Sequence, residues 1–342
     1  MVGKGVLMAK PWTAIELLNV ARSYQTTCVL TAGAALDVFT CLHGKPATAR
    51  ALASRLNTNL RATTILLDAL AALGFLDKKA DRYSVRRNLA RLLSERSAEN
   101  VLPMLRHQAN CLRRWAELPV VARTGRCPEP TVSIRGAAAD QADFIGAMHN
   151  ISEPIADDVV AWLQPLKFRH LLDVGGGPGT WTIAFLRAVP DARATLFDLP
   201  PVVAMAKQRL AEAGLLDRVT LVGGDFYEDD LPTGADLAWL GAICHQNSRR
   251  QNRDLFAKAH AALEGGGAVV IRDVVMAPSR IEPAGGALFA VNMLTATEAG
   301  GTYTFKEYSE DLRKAGFSKA ALVHRDDFMS SLIRARKARK RR

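Results

Sequence analysis

Three aspartates close three successive apolar runs in the middle of this sequence. Asp173 stands in Leu171-Leu-Asp-Val, Asp198 in Asp198-Leu199-Pro200, and Asp225 in Gly224-Asp225-Phe226. After the first comes a glycine cluster at 175, 176, 177 and 179. Glycine turns at positive φ and lets a ligand approach the backbone closely. A dinucleotide site would want Gly-x-Gly-x-x-Gly and a free helix start for pyrophosphate. Here the sixth position from Gly175 is Thr180, and the spacing is Gly-x-Gly-x-Gly. Asp173 would sit poorly beside pyrophosphate and suits a ligand with a cationic, amino-acid-like end. Asp198, 19 positions after Gly179, can accept two hydrogen bonds from ribose hydroxyls. Asp225 with Phe226 suits adenine, the carboxylate near the exocyclic amine and the base packed on the phenyl ring. Singly, each of these reads equally well as a helix cap. Three in series after one glycine turn are a strong joint signal of one ligand site, while the glycines alone also fit a generic phosphate or nucleotide loop on a Rossmann-type fold. Two further positions carry proton chemistry: His245, after a fourth apolar run, and Asp273, ending Val270-Ile-Arg-Asp. His245 could serve as a base or cap the helix that follows it.

The elements that must position these residues alternate from residue 166 onward. Strands are expected at 170–174, 194–197, 219–222, 235–240, 268–272 and 320–323. Helices are expected at 180–189, 201–214, 249–263 and 306–316, with a further helical stretch at 284–296. That alternation is a doubly wound parallel sheet, whose ligand lies across the carboxyl ends of the strands. Before it, residues 95–165 read as mainly helical, broken by a loop at 125–136. Residues 12–42 carry helical periodicity. Thr48–Leu56 and Arg61–Leu73 then form a helix-turn-helix, closed by Gly74 and followed by strands at Phe75-Leu76 and Tyr83–Val85. This is a winged helix. Its second helix is nearly apolar all round, so burial is expected there and DNA reading is not.

The 342 residues allow two domains, 49% are hydrophobic, and no apolar run nears the length of a membrane span. Met1–Lys10 lacks the pattern of a signal peptide. Five scattered cysteines without Cys-x-x-Cys read as reduced thiols of a cytoplasmic protein. The net charge of +11 falls to +4 without the last nine residues, which carry seven positive charges. Residues 334–342 therefore read as a basic tail, either solvated and disordered or a salt-sensitive anchor.

Asp173-Val-Gly-Gly-Gly-Pro-Gly resembles the first motif of class I S-adenosylmethionine (SAM) methyltransferases. The later stretches resemble the two-domain small-molecule O-methyltransferases of plants and bacteria, over residues from about 15 to about 335. The resemblance implies a Rossmann-like, seven-stranded domain whose final strand is antiparallel, preceded by a mainly α winged-helix dimerisation domain. The corresponding bounds are 12–95 for dimerisation, 96–165 for a helical linker to the acceptor pocket, and 166–333 for the SAM-binding domain. It implies SAM as cofactor, a homodimer, a small-molecule acceptor, no specific nucleic acid and no metal. Asp173, Gly175, Gly177, Gly179, Asp198, Leu199, Asp225 and Phe226 fall on its cofactor motifs. His245 falls on its catalytic histidine, and Asp273 on the acid that orients that imidazole. Met148 and His149 fall on a helix that lines the acceptor pocket; by residue type alone Met148 is equally core filler. Asn292 and Met293 match a second pocket segment.

Departures from the pattern lie on the acceptor side. The family's His-Asp-Trp is His245-Gln246-Asn247 here, its lysine four places earlier is Gly241, and Asn292 replaces a frequent aspartate. The reading is O-methylation of a small aromatic or polycyclic metabolite with His245 as base. The alternatives are C- or N-methylation by proximity alone, and a SAM-binding winged-helix regulator without methyl transfer.

Overall fold

The computed structural model describes residues 11–97 and 99–339. The reading made of Met1–Lys10 and the last three residues of the basic segment lie outside the described residues. The chain divides into two compact units, Met1–Ala109 and Asn110–Arg342.

The first unit runs α1 (Ala14–Arg22), α2 (Tyr24–Ala35), α3 (Val38–Leu42), β1 (Ala47–Thr48), α4 (Ala49–Leu56), α5 (Leu60–Ala72), β2 (Leu76–Lys79) and β3 (Arg82–Val85). The two central helices begin where their caps dictate. Thr48 accepts from Ala51 N–H at 3.2 Å and Asn59 from Ala62 N–H at 3.0 Å. The wing is a three-stranded sheet in the order β1-β3-β2. Its core gathers Phe39, Leu52, Leu67, Leu70 and Tyr83. Within the single chain α5 is buried on one face. Only Thr63, Leu67 and Leu70 are buried, while Ile65 is 55% exposed. The chain offers one face of core, and the other apolar face of α5 stays open. No residue of α1 is buried, although it carries Ile15, Leu17, Leu18 and Val20.

Helix α6 (Leu102–Ala116) spans the division, and α7 (Leu118–Thr124), α8 (Ala137–Ser152) and α9 (Ala156–Ala161) follow. The remainder alternates: β4 (His170–Val174), α10 (Thr180–Ala188), β5 (Arg193–Asp198), α11 (Pro200–Glu212), β6 (Val219–Gly223), β7 (Ala235–Gly241), α12 (Arg249–Ala262), β8 (Leu263–Asp273), β9 (Val275–Met276), α13 (Ala284–Ala296), β10 (Tyr303–Thr304), α14 (Phe305–Lys314), β11 (Ser318–His324) and β12 (Ser331–Arg336).

Seven strands form one sheet in the order β11-β12-β8-β7-β4-β5-β6. β12 is antiparallel to both neighbours, and β4 to β8 run parallel to one another. Successive residues point to opposite faces. Leu172, Val174, Ala238 and Leu240 join one core cluster with Phe256 and Leu312 from α12 and α14. Leu171, Leu237 and Trp239 join another with Trp181 and Phe185 from α10. Both faces are covered, which is why these strands read as near-continuous apolar runs.

The basic segment does not begin as a free tail, because its first residues belong to the sheet. Residues 331–336 form the strand between β11 and β8, with Ala335 fully buried and Arg334 opposite Val270. Lys337 continues inward: its Nζ donates to the carbonyls of His260 at 2.5 Å and Leu263 at 2.6 Å, capping the end of α12. No helix among the described residues is long and apolar enough to cross a membrane.

Candidate active site

The order of the strands reverses between β4 and β7, so a crevice opens at their carboxyl ends. The turn after β4 starts with Gly175, at φ +65°, whose N–H donates to Phe197 O at 2.8 Å. A Cβ on Gly175 would lie 2.5 Å from Ile243 Cδ1, and one on Gly176 2.6 Å from Leu196 Cγ. Those two glycines are demanded by the protein's own packing. Gly177, at φ +55°, is different: a Cβ there would meet nothing within 4 Å. Its missing side chain leaves open space above the turn. Gly179 takes a left-handed conformation as the N-cap of α10.

Asp198, at the end of β5, accepts from Gly177 N–H and Leu199 N–H, each at 2.7 Å. Each carboxylate oxygen therefore keeps a lone pair for a further donor. Burial raises its pKa. Asp173 lies beneath the turn and not on its surface. It is 1% exposed and accepts from Thr182 Oγ1–H at 2.6 Å. Burial pushes it up to about 7, with the Asp198 charge adding to the rise. Such a carboxyl gains from a nearby cation.

After β6, Asp225 accepts from Tyr227 N–H at 2.9 Å. Phe226 packs against the core and its ring reaches 3.9 Å from where a Gly175 Cβ would be. The turn is pinned from α12 by Lys258, whose Nζ donates to the carbonyls of Phe226, Tyr227 and Asp229 at 2.8–3.0 Å. An open-topped glycine turn and three carboxylates, each with acceptor capacity to spare, fit a nucleoside carrying an ammonium group.

β7 ends at Gly241, and a short 3-10 turn, Cys244–Gln246, carries His245. Asp273 closes β8 and is 1% exposed. One of its oxygens pairs with His245 Nδ1 at 2.9 Å and accepts from Val274 N–H at 2.7 Å. The other accepts from His245 backbone N–H at 3.1 Å. The carboxylate thus grips both ends of the histidine. Phe289 meets the imidazole edge-on with ring centroids 4.8 Å apart. Gly301 N–H donates to His245 O at 2.8 Å, and a Cβ on Gly300 would lie 2.5 Å from that same oxygen. Cys244, fully buried beside Asp273, has its thiol pushed well up and stays protonated.

The other anticipated residues are spread wider. Met148 is half-buried on α8, and its neighbours on that face, Phe144 and Ile151, are exposed, so the helix does not bury this face within the chain. His149 bonds through Nδ1 to Thr180 Oγ1 at 3.0 Å, which brings it to the start of α10 beside the glycine turn. Burial and the nearby Arg209 charge lower it to about 4, so it is neutral at physiological pH. Asn292 accepts from Trp115 Nε1–H at 2.9 Å, tying α13 to α6, and Met293 is buried. Among the described residues no cluster could hold a metal ion.

Several residues escaped the sequence reading. Phe289 sits one helical turn before Met293, a spacing that could have flagged it. Asn247, fully buried, is the hub of a polar chain. It accepts from Tyr227 O–H at 2.6 Å, donates to Asn252 at 3.1 Å, and its carbonyl accepts from Tyr303 O–H. Asn252 in turn donates to Cys244 O at 2.9 Å.

Comparison with known proteins places the chain in a family. An O-methyltransferase domain matches residues 132–318, and an O-methyltransferase dimerisation domain matches residues 18–95. The chain is 32% identical over 315 residues to 3-hydroxy-5-methyl-1-naphthoate 3-O-methyltransferase of Streptomyces sahachiroi, covering 90% of each. It is 31% identical over 309 residues to the tetracenomycin polyketide synthesis 8-O-methyl transferase TcmO of Streptomyces glaucescens, covering 89% of this chain and 91% of that one. Among solved structures, PigF with SAH superimposes with a TM-score of 0.83 at 26% identity, over 95% of this chain and 100% of that one. The chain belongs to the SAM-dependent O-methyltransferase family, with the family's dimerisation domain as its first unit.

Proposed function

We propose that the protein methylates a hydroxyl of a small aromatic or polycyclic metabolite, with His245 as general base. The observation that carries this reading is the His245–Asp273 pair at the carboxyl ends of β7 and β8. A carboxylate on Nδ1 holds the tautomer that leaves Nε2 free to take a proton, and stabilises the imidazolium that forms. A phenol has a pKa of about 10 and is mostly protonated at neutral pH, so a base matters. When bound, SAM supplies a methyl group on a cationic sulfur, already electrophilic. The protein's share is alignment and proton removal.

In this reading Gly175, Gly177 and Gly179 cradle the cofactor, Asp198 and Leu199 take its ribose end, and Asp225 with Phe226 takes its adenine. Asp173 acts from below the turn as a counter-charge to the ammonium group. Met148, Asn292 and Met293 line the acceptor side, while His149 serves the glycine turn through Thr180. The relatives' names, a naphthoate 3-O-methyltransferase and a polyketide 8-O-methyl transferase, support an aromatic hydroxyl as acceptor. The five cysteines suit the reducing cytoplasm as the site of action.

The test is transfer of labelled methyl from SAM to a panel of hydroxylated naphthoates and polycyclic phenols. Wild type should label an acceptor, and His245→Ala should lose about 10²- to 10⁴-fold in kcat while binding S-adenosylhomocysteine normally. Equal kcat in the two proteins, with chemistry rate-limiting, would remove the base from the mechanism.

A further inference from the structure

Tyr227 has a position that the site described above does not use. It follows Phe226 on the turn after β6 and is 44% exposed, yet it is not loose. Its hydroxyl donates to Asn247 Oδ1 at 2.6 Å, and Asn247 is itself fully buried and held by Asn252. Its N–H is bound by Asp225, and its carbonyl by Lys258 Nζ at 3.0 Å. Its ring stands 4.5 Å from that of Phe226, inclined at 52°. A half-exposed tyrosine usually keeps its rotamer freedom. This one is anchored at its backbone and its far end, so its apolar face is presented at no further ordering cost.

The anchoring is unusual in its reach. Tyr227 and Asn247 are 20 residues apart, one on the turn after β6 and the other just past the His245 turn. Phe226 and Tyr227 thus form a two-ring corner that joins the turn bearing Asp225 to the turn bearing His245. The corner's Phe226 edge lies over the glycine turn. Aromatic faces bind purines by stacking, because every base has a π-face.

We propose that Tyr227 is a second aromatic wall of the purine site, and that Asn247 is the residue that positions it. The proposal rests on the SAM site assigned above and adds a binding residue to it. Asn247 touches no ligand and acts through the Tyr227 hydroxyl.

The test is calorimetric affinity of the full-length protein for S-adenosylhomocysteine and for adenosine. Tyr227→Leu keeps bulk and loses the π-face, so it should weaken both ligands by the same factor, roughly 10- to 100-fold. Tyr227→Phe keeps the ring and loses the anchor, so its loss should stay within about 5-fold. Asn247→Leu should match Tyr227→Phe in the wild-type background and cost nothing further in the Tyr227→Leu background, which a purely structural role would not produce. Tyr227→Leu binding S-adenosylhomocysteine within 2-fold of wild type overturns the proposal and leaves the cofactor assignment standing. So does a loss seen with S-adenosylhomocysteine and not with adenosine. A wild-type protein that binds neither ligand overturns both readings at once.

Discussion

Asp273→Asn is the substitution that separates a working base from a structural histidine. Asp273 accepts from three donors: His245 Nδ1 at 2.9 Å and Val274 N–H at 2.7 Å on one oxygen, and His245 N–H at 3.1 Å on the other. Asparagine has one acceptor and one donor group. If its oxygen replaces the first, its amide faces His245 N–H, donor against donor. If it flips, its amide faces Val274 N–H and Nδ1, so Nδ1 must accept and the imidazole proton moves to Nε2. Either orientation strands one buried backbone N–H, at about 1–3 kcal/mol of stability. Both remove the charge that steadies the imidazolium, and the flipped form abolishes the base outright. The expected loss in kcat is about 10²- to 10⁴-fold at pH 7. The assay is turnover of a phenolic acceptor at saturating SAM from pH 6.5 to 9.5, with S-adenosylhomocysteine affinity as control. The deficit should shrink as pH approaches the acceptor's own pKa, because solvent then supplies the phenolate. A deficit of the same size at both ends of the range would refute the argument, since Asp273 would then be serving something other than proton removal.

Gly177→Ala and Gly175→Ala should fail differently. Both carry the left-handed strain of about 1–2 kcal/mol, but only at 175 would the new Cβ strike protein, 2.5 Å from Ile243. Gly175→Ala should therefore lose the most in thermal stability, whereas Gly177→Ala should lose chiefly S-adenosylhomocysteine affinity, by 10-fold or more; equal affinity losses would count against the open space over Gly177 being a ligand's. Asp173 gives a pH signature. Its folded pKa of about 7 lies above the unfolded value of about 3.9, so its contribution is full below pH 4 and lost as pH rises through 7. In unliganded protein the Tm of Asp173→Asn relative to wild type should climb between pH 5 and 8, and a flat difference would mean the carboxyl is not protonated in the fold.

The sheet was legible where both faces are covered. Leu171–Val174 and Ala235–Gly241 are apolar because α10 packs on one side and α12 on the other. Helices with strong caps, such as α12 behind Ser248 and α14 behind Thr304, began within a residue of where their pattern placed them. β12 was hidden by charge. Arg334 and Arg336 look solvated, yet the strand between two neighbours needs only Leu332, Ile333 and Ala335 to face the cores. α5 reads as apolar all round, and one chain covers only the face that carries Thr63, Leu67 and Leu70. In the candidate site, the place of Asp173, Asp198, Asp225 and His245 at or after strand ends was readable, because topology fixes where strand ends meet. Tyr227 and Asn247 were not, because their pairing spans 20 residues and follows no period. His149 was placed on the correct helix, but its bond to Thr180 is a property of packing and not of α8.

The place of β12 also governs when this protein can fold. It is the last strand among the described residues, and it fills the gap between β8 and β11. A nascent polypeptide that has emerged from the ribosome only as far as His324 has five strands of this sheet to pair, with β8 left as an edge and β11 lacking the neighbour it has in the fold. Unpaired edges are where chains aggregate or recruit chaperones. The half that carries the glycine turn and the His245–Asp273 pair can assemble during synthesis. The architecture is closed only when residues 331–336 thread home, so a stalled or clipped product would carry most of the chemistry and an adhesive edge the finished enzyme lacks.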